Sequence, residues 1–126
     1  MVRVGSFRIT SRVVSGGSVV SSVPGTSPNA QHQVHIVNRS TLPYDCIVAG
    51  SIMNGLLQYV AGSAAWPSGG VAVPGSGAVA PAEDLNGTTA TGSETLCCHH
   101  FVSRLAGAPG WGPTVNPGDC STVTVT

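Results

Sequence analysis

The chain has 126 residues, of which 41% are hydrophobic and 8% are charged, and five basic and five acidic residues give it a net charge of zero. This composition argues against a disordered chain, because disordered chains are poor in apolar residues and rich in net charge. It also argues against direct nucleic-acid binding, because the chain has only five basic residues, all of them Arg. Contacts with a phosphate backbone need more clustered positive charge.

The length predicts a single domain over residues 1–126. No stretch approaches the roughly 20 apolar residues of a membrane span, so no membrane association is expected. The N-terminus lacks the apolar run of a signal peptide, which predicts synthesis in the cytoplasm. A surface this poor in charge predicts that neighbouring subunits cover much of it, because isolated soluble domains use charge to resist association.

The first predicted strand runs over 7–13, where alternation places Phe7, Ile9 and Val13 on one face and Arg8 and Arg12 on the other. The glycine pair that follows predicts a turn, and a return strand is expected before the next proline. Residues 1–22 are therefore expected to form an N-terminal hairpin, or an arm that can detach.

The rest of the chain shows short runs rich in Val, Ile and Thr between Gly, Pro, Asn and Ser, the pattern of strands and turns. The best helical candidate, 51–60, is interrupted by glycine and is alternatively a strand pair or a turn. A polar loop is expected over 81–92. Further strands are predicted over 33–38, 44–49, 71–73, 78–80, 95–105 and 121–126. Together these elements predict an all-β antiparallel sandwich or small barrel, jelly-roll or Ig-like, with about seven to nine short strands.

The sharpest local motif is a run of two cysteines followed by two histidines. Thiolates and imidazoles are the usual ligands of zinc, which makes Cys98, His99 and His100 the candidate metal ligands. Zinc ligands are usually two to four residues apart in a turn, whereas neighbours on a strand alternate faces. This spacing favours the alternative that the cysteines are small buried hydrophobes, and no cofactor is expected.

Disulfides are a further interpretation of the cysteines. The four of them allow three complete pairings, and the sequence does not choose among them. Cytoplasmic synthesis favours free thiols. The candidates are Cys46, Cys97, Cys98 and Cys120.

Catalytic groups are scarce, so the sequence does not predict an enzyme. There is no G-x-S-x-G motif, and the adjacent acids Glu83 and Asp84 do not form a pair facing each other across a cleft. Two tryptophans lie in Gly- and Pro-rich loops, where they are either stacking platforms for sugars or, as we favour, buried plugs and subunit contacts. The interface candidates are Trp66, Trp111, Phe7, Arg8 and Arg12.

In its size, its short alternating strands and its hydroxyl-rich, nearly uncharged surface, the whole chain resembles the small capsid decoration (cement) proteins of tailed phages. The resemblance implies a structural virion protein that is made in the host cytoplasm. It also implies a homo-oligomer, often a trimer, seated on a major capsid protein or another shell protein. Two alternatives remain open: a receptor- or carbohydrate-binding module on a fibre, using Trp66 and Trp111, and a small Cys/His metal-binding protein.

Overall fold

A computed structural model of the chain describes residues 1–62 and 70–126, and these residues form twelve β-strands in two sheets. Several strands are only two or three residues long, which is why their number exceeds the seven to nine expected. In chain order they are β1 (Val2–Val4), β2 (Phe7–Ser15), β3 (Ser18–Val19), β4 (Ser22–Val23), β5 (Ala30–Asn38), β6 (Tyr44–Ile52), β7 (Leu57–Tyr59), β8 (Val71–Val73), β9 (Ala78–Val79), β10 (Ala82–Gly87), β11 (Gly92–Leu105) and β12 (Asp119–Val125).

The two sheets pack face to face as a β-sandwich, which confirms the predicted all-β class. The first sheet has the order β1-β2-β5-β10-β7, with β3 beside β2 and β9 beside β5. The second sheet has the order β4-β12-β11-β6-β8. The named strand pairs are antiparallel except β12 and β4, which run parallel.

The alternation read from the sequence describes β2 correctly. Phe7, Ile9 and Val13 point into the sandwich and are buried, whereas Arg8 and Arg12 lie on the outer face. The same period places the valines of β12 inward, with Val123 and Val125 each 1% exposed. One face of each strand therefore builds the core, as half-buried strands require.

Most of the N-terminal segment is paired within the first sheet. β2 lies between β1 and β5 and pairs with β5 from Phe7 to Val14. β2 and β3 do form a hairpin, around Gly16 and Gly17 with φ of 58° and 81°. The expected return strand then divides, because β3 stays in the first sheet and β4 crosses to the second.

One expectation for the middle of the chain is wrong. The polar segment 81–92 is not a loop along its whole length, because β10 pairs with β5 on one side and β7 on the other and turns Leu85 into the core. The segment forms a strand despite its polar composition, because its backbone pairs with two neighbouring strands. Segment 51–60 holds the end of β6, a turn and β7, which agrees with the alternative of a strand pair or a turn and not with a helix.

The core has two apolar halves. One contains Phe7, Ile9, Val34, Ile36, Cys46, Val48, Val73, Cys98 and Phe101. The other contains Val13, Val23, Ala30, Leu57, Leu85, Leu96, Val123 and Val125. Within the described ranges, no helix is long and apolar enough to cross a membrane.

Candidate functional site

A set of polar residues lies where the two apolar halves of the core meet, and we call Ser11, His32, Tyr59 and Asp119 the central polar layer. The Oγ atom of Ser11 lies 2.6 Å from His32 Nε2, and His32 Nδ1 lies 2.7 Å from the Tyr59 hydroxyl. Asp119 Oδ2 accepts the Ser11 backbone N–H at 2.7 Å and so ties β12 to β2. Ser11 and His32 are 4% and 0% exposed, which places this chemistry inside the sandwich.

The hydrogen bonds of the central polar layer determine where its protons lie. The Ser11 hydroxyl donates to the Leu96 carbonyl at 3.1 Å, so its single proton is used there. We assign the Nε2–H tautomer to His32 on this basis, and in this tautomer Nε2–H donates to Ser11 Oγ and Nδ1 accepts from the Tyr59 hydroxyl. Burial lowers the pKa of His32 from 6.5 to about 4, which keeps the ring neutral at pH 7. In this tautomer His32 donates a hydrogen bond to the Ser11 hydroxyl, which is the reverse of the hydrogen bond that a general base accepts from a serine nucleophile.

Replacement of Ser11 by alanine is expected to lower the free energy of unfolding by about 2 kcal/mol, because it leaves a His32 N–H and the Leu96 carbonyl buried without this partner. Denaturant unfolding at pH 7.5 measures the change. Ser15→Ala is the control, since that hydroxyl lies at the exposed end of the same strand and donates to Asn29. Equal stability losses in the two variants would contradict the proposed role of the central polar layer.

Gly50 provides the space that the His32 and Tyr59 rings occupy. The two rings stack with 7° between their planes and 5.9 Å between their centroids. A Cβ at position 50 would lie 2.5 Å from the Tyr59 hydroxyl and 2.7 Å from the His32 ring. The absence of a side chain on β6 therefore lets the two sheets meet around a polar pair.

The Cys/His motif does not gather around one centre. Cys98 pairs with Gly50 and His100 with Ala49, so the strand register shifts between them and His99 is an extra, exposed residue. This β-bulge turns Cys98 inward and His100 outward, although a regular strand would place them on one face. In the part of the chain that the structure describes, no three His, Cys, Asp or Glu residues are placed to hold a metal ion.

Two of the four cysteines are joined. Cys97 on β11 and Cys120 on β12 are direct cross-strand partners and form a disulfide. Cys46 and Cys98 are free and buried in the core, and burial raises the pKa of the Cys98 thiol to about 11. The expectation of free thiols is therefore wrong for Cys97 and Cys120, and the small-hydrophobe interpretation fits Cys46 and Cys98.

Trp111 lies half-buried on the outer face of the second sheet. The Arg104 guanidinium carbon is 4.3 Å from the centroid of the Trp111 ring, and Arg104 Nε donates to Asp45 at 3.0 Å. The ring edge rests against Gly70, where a Cβ would come within 2.8 Å. One ring face is thus taken by Arg104, which counts against a sugar platform at Trp111. Trp66, the other interface candidate in a loop, lies outside the described residues.

The remaining interface candidates separate into core and surface. Phe7 is 4% exposed and packs edge-on against Tyr44 and at 5.3 Å from Phe101, so it is a core residue and not a contact for a partner. Arg8 and Arg12 lie on the outer face of the first sheet, together with Arg3, which pairs directly with Arg8 across the strands. Four of the five arginines fall at this sheet once Arg39 is included, because its N–H donates to the Ser6 carbonyl.

An exposed apolar surface, which we call the apolar end, lies at the other sheet. It consists of Leu42, Pro43, Leu105 and Ala106. Leu42 and Leu105 are 53% and 47% exposed, and the Ala106 N–H donates to the Pro43 carbonyl at 3.1 Å. This surface is not apparent from the sequence, because its two segments are about 60 residues apart and meet only through β6–β11 pairing.

Comparisons with known proteins give little further guidance. No protein-family model matches the chain, and no curated protein matches it. Among solved structures, the chain is similar to SSP-19, an MSP-domain protein like family member in Caenorhabditis elegans, with 14% sequence identity and a TM-score of 0.44. The similarity covers 85% of this chain and 94% of that chain.

Proposed function

We propose that this protein is a structural component of a virion, a capsid decoration protein that assembles as a homo-oligomer and seats on a major capsid protein or another shell protein. The apolar end is the observation that carries the proposal. Its two leucines are about half exposed, and no ionised residue occurs from 105 to 118 beside them. The Arg104–Asp45 ion pair at its edge is already paired internally, and exposed apolar groups of this kind favour self-association over the monomer.

The chemistry available inside the sandwich supports a binding role over a catalytic one. The Ser11–His32 pair is buried, and in the tautomer assigned above its hydrogen bond runs opposite to that between a serine nucleophile and its base. Glu94, which is 0% exposed, accepts three backbone N–H groups, and Asp119 ties the two sheets together. These polar residues therefore build a rigid body, and its outer surfaces make the contacts. We expect a trimer, in which the apolar end of each copy is covered by a neighbour.

The double variant Leu42→Glu, Leu105→Glu is expected to weaken self-association by at least tenfold, because burying two new carboxylates at the contact is costly. Sedimentation velocity across a dilution series measures the change, and circular dichroism checks that the fold is retained. Val19→Glu is the matched control, since Val19 is 62% exposed on the β2–β3 hairpin. That variant is expected to associate like the native chain.

Two results would overturn the proposal. If the native chain sediments as a monomer at every concentration, the proposed homo-oligomer does not form. Equal dissociation of the Val19 and leucine variants would show that the contact does not use the apolar end. Co-sedimentation of the native chain with purified undecorated capsids then tests binding to the shell. The double variant is expected not to bind the capsids.

A further inference from the structure

Three arginines converge on a small cavity at the turn between β1 and β2, which we call the arginine notch. The cavity has a volume of about 220 Å³ and is lined by Arg3, Gly5, Ser6, Phe7, Arg8 and Arg39. This volume is below the roughly 300–1,000 Å³ of pockets for drug-sized ligands, so the notch admits one small group.

The arrangement of positive charge in the notch is unfavourable without a counterion. Arg3 and Arg8 are direct partners in the β1–β2 ladder, and like charges at such positions repel. The Arg39 backbone N–H donates to the Ser6 carbonyl at 2.9 Å, which places a third arginine at the same turn, and Arg39 also lines the cavity. The ion pairs found among the described residues involve Arg104 and the N-terminus, and not these three arginines.

Arg8 provides the second observation, because its Nε atom is buried and has no hydrogen-bond partner within residues 1–62 and 70–126. Leaving a buried donor of a charged group unpaired is costly. The acids of the chain lie elsewhere: Asp45 pairs with Arg104, Glu94 and Asp119 accept backbone N–H groups, and Glu83 and Asp84 belong to β10. β5 separates β10 from β2, so none of these acids neutralises the notch.

We propose that the arginine notch binds a small tetrahedral oxyanion of the phosphate class. Guanidinium groups present planar pairs of N–H donors that match the oxygens of such an anion. The Ser6 hydroxyl lines the same cavity and supplies a further donor. Arg12 is outside the site, because its Nε donates to Gln33 on the same outer face. This site is independent of the apolar end and of the proposed place on a capsid.

Titration with inorganic phosphate tests the proposal on the full chain, with NaCl at matched ionic strength as the reference. The signal is the ¹H–¹⁵N resonance of the Arg8 Nε–H group, together with the thermal midpoint of unfolding. We expect saturable shifts with phosphate and with sulfate. Arg8→Gln and Arg39→Gln are each expected to raise the dissociation constant for phosphate about tenfold, because each variant loses one charge-assisted hydrogen bond. Arg12→Gln is expected to bind like the native chain.

The outcomes separate this site from general charge effects. Equal shifts with NaCl, or equal weakening in Arg12→Gln and Arg8→Gln, would overturn the proposal. A response to a capped glutamate peptide without a response to phosphate would also overturn it, because it would assign the notch to protein carboxylates. If Arg8→Gln does not fold, Arg39→Gln carries the test, since its side chain is exposed. None of these results depends on the oligomeric state, so they leave the proposed function untouched.

Discussion

Replacement of Glu94 by alanine is expected to lower the free energy of unfolding by about 3 to 4 kcal/mol. Glu94 is 0% exposed, and its carboxylate organises the connection between β6 and β7. Oε1 accepts the N–H groups of Asn54 at 2.7 Å and Thr95 at 3.0 Å, and Oε2 accepts that of Leu56 at 2.7 Å. Alanine removes all three acceptor contacts at once and leaves three backbone N–H groups without this partner.

Denaturant unfolding midpoints measure this loss. Glu94→Gln is the informative intermediate, because the amide keeps one acceptor oxygen but presents an NH₂ group where a backbone N–H is the partner. We expect Glu94→Gln to lower the free energy of unfolding by about half as much as Glu94→Ala does. Asp84→Ala is the control, since that carboxylate is exposed and accepts a hydrogen bond from Gln31. A change below about 1 kcal/mol in Glu94→Ala would mean that the connection finds other partners.

The sequence predicts the strands whose faces alternate and misses the contacts between distant strands. The period of Phe7, Ile9 and Val13 was sufficient to place β2 in the core. The same period places Ser11 inward as well, and that polar residue at a core position was the available signal for the central polar layer. Its partners could not be identified, because His32 and Tyr59 lie on other strands and meet Ser11 only once both sheets are formed.

The Cys/His motif shows why local spacing was insufficient for the candidate site. On a regular strand Cys98 and His100 share a face, and the metal interpretation depends on that regularity. The bulge at His99 breaks it, and no residue type in the motif indicates a bulge. The disulfide could not be predicted for a similar reason. Cys97 and Cys120 are brought together by the register of β11 and β12, which the sequence does not determine.

The free energy of unfolding is expected to fall by about 3 kcal/mol as the pH is lowered from 6.5 to 4, because of His32. Burial lowers the pKa of His32 to about 4 in the folded chain, whereas the unfolded chain binds the proton near 6.5. Between these values the unfolded state holds more protons, so stability rises with pH. The contribution is complete above pH 6.5 and is lost as the pH falls towards 4. Denaturant unfolding at closely spaced pH values measures the profile.

The variant His32→Gln isolates this contribution, because glutamine does not titrate. We expect it to be less stable than the native chain at pH 7.5 and to lose most of the slope between pH 6.5 and 4. Burial and Arg12 also lower the pKa of the outward-facing His35, which acts in the same direction, so His35→Gln gives the size of that smaller part. If His32→Gln keeps the native slope, or if NMR finds the His32 ring protonated at pH 6, then the buried neutral imidazole does not control acid stability.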